Sequence, residues 1–147
     1  MIAVSACLAG SACRYDGKAN TVQALKEMAE RGEAVLICPE VLGGLGIPRD
    51  PCERQGCQIC TQSGKDCTAE YRKGAEAALA LIQKHHITLA VLKAKSPSCG
   101  KGLIYDGSFT RTLREGHGLT AELFIRNGVR VFTEDEWEEE KENSKKA

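Results

Sequence analysis

Ile2-Ala3-Val4-Ser5-Ala6-Cys7, Ala34-Val35-Leu36-Ile37-Cys38 and Leu89-Ala90-Val91-Leu92 decide the fold, the last running through Lys93-Ala94-Lys95-Ser96-Pro97-Ser98 to Cys99. Short aliphatic runs bounded by Gly and Pro read as buried strands. Each of these is followed by one cysteine. In an open α/β sheet, ligands bind beyond the carboxyl ends of the strands. Three thiols delivered to one sheet edge can therefore meet while lying far apart in the chain.

Between the strands the pattern is helical. Val22, Leu25, Met28 and Ala29 share one face of a helix from a Thr21 cap to about Arg31, with Gly32 ending it. Tyr71, Ala75, Ala78, Leu79 and Ile82 make an apolar stripe from Ala69 to His85, capped by Thr68. A third helix from Leu119 to Arg126 stops at Asn127-Gly128, and Val129-Arg130-Val131-Phe132 is a fourth strand. Leu103-Ile104-Tyr105 before Asp106-Gly107 is a hairpin arm, and Asp50 to Cys67 is a polar, cysteine-rich segment. Helical crossovers between strands imply a parallel sheet. The expectation is a small three-layer, Rossmann-like α/β domain over 1–133, with a mainly parallel sheet of about four strands flanked by helices. A short helix with Trp137 turned inward runs from Glu134 to Glu140, and a fraying tail completes 134–147.

Lys plus Arg and Asp plus Glu each number 20, so there is no basic excess to bind nucleic acid. No apolar run nears the ~20 residues of a membrane span, and Met1-Ile2-Ala3-Val4 enters a strand without the basic start of a signal peptide. The expected location is the cytoplasm. In that reducing setting, eight cysteines point to metal or redox chemistry before disulfides. The plainer role, small buried hydrophobe, stays open for each taken singly.

Thiolates suit zinc and iron–sulfur clusters. Structural zinc usually takes paired ligands on tight turns, whereas Cys7, Cys38 and Cys99 are single, each beyond its own strand. Three is one short of the four cysteines of an ordinary [4Fe–4S] cluster, which leaves one iron open. If the three share a site, Glu40 and Ser96 stand beside it, where a carboxylate can act as acid or base. Otherwise Glu40 is a solvated loop residue and Ser96 a turn residue before Pro97. The Gly43-Gly44-Leu45-Gly46 loop lets backbone pass close to a ligand, and Arg49 either binds an anion or, as the plainer reading, pairs at the surface. Cys52, Cys57, Cys60 and Cys67 form a second group, C-x4-C-x2-C-x6-C. It reads as zinc ligands, as a second cluster run or as free thiols. His85, His86 and His117 read as structural or surface residues.

Val4-Ser5-Ala6-Cys7-Leu8-Ala9-Gly10, Cys13-Arg14-Tyr15-Asp16-Gly17, Cys38-Pro39-Glu40 and Lys95-Ser96-Pro97-Ser98-Cys99-Gly100 resemble the DUF523 family. So do Gly43-Gly44-Leu45 with Pro48-Arg49, and Ile104-Tyr105-Asp106-Gly107. This family includes the short, single-domain, iron–sulfur-dependent thiouracil desulfidases, and the resemblance runs from residue 2 to about 133. It implies a [4Fe–4S] cluster on Cys7, Cys38 and Cys99, with Glu40 and Ser96 facing the substrate and Cys13 outside the ligand set. It also implies hydrolysis of a thiolated nucleobase such as thiouracil, C=S becoming C=O, the unique iron holding the substrate sulfur. The chain departs from the family between Pro48 and Ala75, where a short stretch holds four cysteines and could bind zinc. Two other functions remain at this stage, a non-catalytic iron–sulfur carrier of sulfur and a zinc-bound structural protein.

Overall fold

The structure, a computed structural model, describes residues 1–146. Strand β1 (Ile2–Ser5) passes through a 3-10 turn (Ala6–Ala9), and helix α1 (Gln23–Glu30) leads to β2 (Ala34–Ile37). A one-turn helix α2 (Pro39–Leu42), the strands β3 (Cys52–Gln55) and β4 (Gln58–Thr61) and the long helix α3 (Thr68–Lys84) follow. Then come β5 (Leu89–Leu92), β6 (Leu103–Tyr105), β7 (Leu113–Glu115), α4 (Leu119–Arg126), β8 (Arg130–Thr133) and α5 (Glu134–Lys146).

The main sheet is parallel, in the order β2-β1-β5-β8. Ala3 lies opposite Val35 and Ala90, and Val4 opposite Leu36 and Val91. Successive side chains point to opposite faces. Ala3 and Ala90 therefore face Ala78 and Ile82 of α3 and Phe124 of α4. Val4 and Val91 face Leu25 of α1, with Trp137 of α5 packed beside them. A parallel sheet covered on both faces needs apolar residues in succession, which is why these strands are legible as unbroken runs. The expected three-layer architecture is the one observed. Phe124 is fully buried in the first of these layers. Phe124→Ala is expected to lower unfolding stability by about 3–5 kcal/mol, read by urea titration, because the void cannot refill.

The strand order places the site. From β1 the chain takes the neighbour on one side, β2, and then crosses to the other side, β5. The crevice at the carboxyl edge of such a sheet opens where this reversal falls, between β1 and β5. Cys7 lies just past β1, Cys38 just past β2, and Cys99 on the loop after β5.

Local structure corrects the sequence in several places. Residues 39–42, which the sequence did not mark as helical, form α2, with Pro39 at its first turn where a missing N–H is harmless. The cysteine-rich segment contains an antiparallel hairpin, β3 against β4, closed by Gly56-Cys57 with Gly56 at φ +61. Thr21 and Thr68 do not cap. The first helix begins at Gln23 after an uncapped Val22. Thr68 is itself helical, its hydroxyl donating to Asp66 and accepting from the Ile59 N–H. α5 runs past Glu140 to Lys146. Glu134, Asp135 and Glu136 in its first turn suit the positive end of the helix dipole, and Lys141 lies over the Trp137 ring at 4.6 Å. Ala147, the last residue of the expected fraying tail, lies outside the described residues. The hairpin arm Leu103–Tyr105 pairs with β7, as its Asp-Gly turn signal suggested.

Candidate active site

All eight cysteines are free thiols. Cys7 sits in the 3-10 turn that reverses the chain after β1, and Gly10 at φ +98 completes that turn. Cys13 lies beside both Cys7 and Cys38, with Cys38 Sγ 3.9 Å from the Cys13 carbonyl. The Cys13 thiol and burial both raise Cys38 above its usual thiol range. Burial pushes Cys99 up to about 12, against hydroxyl donation from Ser5 and Ser98, and Glu40 and Cys38 lie within its electrostatic reach. Cys7, Cys38 and Cys99 lie at one edge of the sheet, and Cys13 stands there beside Cys7 and Cys38. The Cys13-Arg14 string before an Asp-Gly turn was the available signal for it.

Glu40 rises from α2 and is held at both carboxylate oxygens. The Tyr71 hydroxyl of α3 donates to Oε1. Arg49 Nη2 donates to Oε2 at 2.7 Å and to the Cys13 carbonyl at 2.9 Å, while Nη1 reaches the Gly46 carbonyl at 3.2 Å. Arg49 is no surface residue. Its side chain is only 7% exposed and that of Glu40 20%. Burial opposes the guanidinium charge, but Glu40 beside it holds the charge in place. Burial, then the neighbouring Glu40 charge, pushes the Tyr71 phenol well above its usual range, so it is neutral and donates. An ionised carboxylate has about four acceptor positions. With two taken, Glu40 keeps acceptor capacity on both oxygens. Sequence alone assigned Tyr71 to the apolar stripe, and nothing local ties it to a residue 31 positions away.

Ser96 sits in the tight turn that presents Cys99. Its hydroxyl oxygen accepts from the Ser98 and Cys99 N–H groups, both at 3.0 Å. A hydroxyl has two acceptor positions and one donor. With both acceptor positions used, Ser96 can only donate outward. The first amides of α4 pin this turn, Leu119 N to Pro97 O at 3.0 Å and Thr120 N to Ser98 O at 2.9 Å. Lys93, at the strand end, pairs with Glu134 at 3.0 Å.

The second cysteine group divides. Cys52 and Cys67 are buried together with Ile59 and Tyr71. Burial, with the Cys67 thiol adjacent, pushes Cys52 up to about 12. Cys60 pairs with Glu53, one step along from the Cys52–Thr61 pair, and so points to the other face of the hairpin. Cys57 is exposed in the turn. His85 and His86 are exposed beyond α3, and His117 Nδ1 accepts from the Gly102 N–H at 3.0 Å.

Among the described residues, no three Cys, His, Asp or Glu side chains converge as a single ion would require. One zinc draws every thiolate to about 2.3 Å of a single centre, whereas a cubane cluster places each thiolate on a different iron. The donor set fits the larger group: soft, unlinked thiols beyond three separate strands, with the buried, unpartnered Arg49 Nε on a guanidinium near Cys38. Fold and site together define an α/β enzyme with a thiol and carboxylate centre at the switch point of its sheet. Residues 2–136 match the 2-thiouracil desulfurase family, and the chain belongs to it. It is 39% identical to the uncharacterized protein YbbK of Bacillus subtilis (strain 168), over 92% of this chain and 97% of that one. It is also similar to a solved structure of the [4Fe-4S]-dependent thiouracil desulfidase TudS, at 47% identity and a TM-score of 0.89, covering 94% of this chain and 93% of the other.

Proposed function

We propose that this protein is a [4Fe–4S]-dependent desulfidase that hydrolyses thiolated nucleobases such as thiouracil to the oxo base and sulfide. The observation that supports this is the grouping at the carboxyl edge of the sheet, where Cys13 lies beside Cys7 and Cys38, and Cys38 and Glu40 lie near Cys99. Cys7, Cys38 and Cys99 would hold the cluster, which when bound would supply Lewis-acid chemistry toward the sulfur of the C=S group. Glu40, oriented by its ion pair with Arg49, takes a proton from the attacking water through its remaining acceptor positions. Ser96 donates its one available proton to the heterocycle and fixes its orientation. Water adds its oxygen to the carbon, its two protons leave with the sulfide, and no electrons are exchanged.

The balanced charge of the chain favours a free base or nucleoside over thiolated RNA, which needs a basic surface. No helix among the described residues is long and apolar enough to cross a membrane. Eight free thiols suit a reducing cytoplasm. The Cys52 thiol stands beside Tyr71, and the second group, divided between the two faces and the turn of the hairpin, serves as thiols without zinc.

The test is anaerobic reconstitution, with iron, sulfide and zinc counted per chain, followed by sulfide release from 2-thiouracil. About four irons per chain, the content of a [4Fe–4S] cluster, with catalytic sulfide release is the expected result. Colourless protein holding only zinc, or clustered protein that releases no sulfide unless a partner is added, overturns it.

A further inference from the structure

Tyr71 belongs to an apolar helical stripe where a phenylalanine would fill the same space. It is 1% exposed and packs with Cys52, Ile59 and Cys67, so its ring is held by the β3–β4 hairpin. A buried phenol needs a partner for its O–H. That partner is Glu40 Oε1, while Arg49 takes Oε2. One bond would leave the carboxylate free to turn about its own axis. Two bonds to different oxygens, from helix α3 and from the loop after α2, fix that rotation. Glu40 stands on a helix of only four residues, which cannot hold the side chain by itself.

Building on the desulfidase function, we propose that Tyr71 is a positioning residue for Glu40, its hydroxyl and the Arg49 guanidinium together clamping the carboxylate in the orientation the hydrolysis uses. The cysteine-bearing hairpin then has a role without holding a metal. It forms the wall against which Tyr71 is seated, with the Cys52 thiol beside the phenol.

Tyr71→Phe keeps the ring and deletes the hydroxyl. In the reconstituted enzyme with 2-thiouracil it is expected to lower kcat about tenfold or more while KM stays within about twofold, since a hydrogen bond to a charged group is lost. In a Glu40→Gln background the same substitution is expected to change nothing further, because Tyr71 acts through Glu40. A packing role would give an equal loss in both backgrounds. A second readout does not depend on turnover. In cluster-free protein carrying 13C-labelled glutamate, the Glu40 carboxyl resonance, assigned by its absence in Glu40→Gln, is expected to shift in Tyr71→Phe.

Unchanged kcat, an unmoved resonance or full additivity overturns the proposal. Should Tyr71→Phe fail to fold, Arg49→Lys probes the other arm of the clamp. A lysine keeps the charge but cannot span Glu40 and the Cys13 carbonyl as the fork does, and the same non-additive loss is expected. Wild-type protein that releases no sulfide refutes the desulfidase function, and the resonance still decides whether Tyr71 fixes Glu40.

Discussion

Glu40→Gln is expected to retain the visible absorbance of the cluster and to lose sulfide release by about 10²–10⁴-fold, the usual contribution of a general acid or base. The amide has nearly the shape of the carboxylate. Its oxygen can still accept from Arg49, and the Tyr71 hydroxyl can rotate to accept from its nitrogen. What is lost is the charge and the basic oxygen. The variant also strips a side chain only 7% exposed of its counter-ion. Breaking a buried pair this way costs about 3–5 kcal/mol, less here because Glu40 is partly open to solvent. Stability should therefore fall alongside turnover, and assays belong well below the variant's own unfolding midpoint. Cys38→Ser is the contrasting case. A hydroxyl is a poor ligand where a soft thiolate is needed, so iron content and activity are expected to fall together. Iron analysis and turnover on both variants separate cluster binding from chemistry. Near-normal turnover in Glu40→Gln would remove Glu40 from the mechanism, and a full iron complement in Cys38→Ser would remove Cys38 from the ligand set.

The parts of the fold that were legible in sequence are those whose burial is uniform. β1 and β5 are covered on both faces and so appear as apolar runs, the edge strand β2 is an apolar run although Leu36 is exposed, and α3 shows its stripe because one face lies on the sheet. α2 spans a single turn, too short for any periodicity, and was invisible. The β3–β4 hairpin was masked because Glu53, Arg54, Gln55 and Gln58 are polar and leave no apolar alternation to mark two strands. Its signal was Gly56, a glycine in a two-residue connection between short segments. Arrival of three thiols at one edge followed from strand polarity alone. The clamp on Glu40 could not follow, because Tyr71 and Arg49 reach it only through the packing of α2 against α3 and the return of the loop after α2. The approach of Cys13 to Cys38 is likewise made only in the tertiary structure.

That packing yields the second large effect. Gly43 and Gly74 lie where α2 crosses α3 with backbone against backbone. A Cβ built at Gly74 would stand 1.8 Å from the Pro39 carbonyl oxygen, and one at Gly43 would stand 2.0 Å from the Glu70 carbonyl oxygen. Helix propensity runs the other way, since alanine is favoured over glycine inside a helix by about 1 kcal/mol. Sterics decide, because the obstructing atoms are main chain and have no rotamer to escape into. In Gly74→Ala, α2 must move away from α3 and carry Glu40, the residue after Pro39, with it. Tyr71 remains on α3, one turn before Gly74, so the hydrogen bond between Tyr71 and Glu40 is the first to break. A displacement of about 1 Å at a reacting group can lower turnover about 10²-fold. A loss of that size, with a lower urea midpoint, is expected for Gly74→Ala. Gly128→Ala is the matched control. It sits at φ +80 beyond α4 with open space around its Cβ position, so it brings backbone strain of about 1–2 kcal/mol far from Glu40, and turnover should persist. Gly74→Ala with the stability and turnover of the parent would mean that the close crossing of α2 on α3 does not set the position of Glu40.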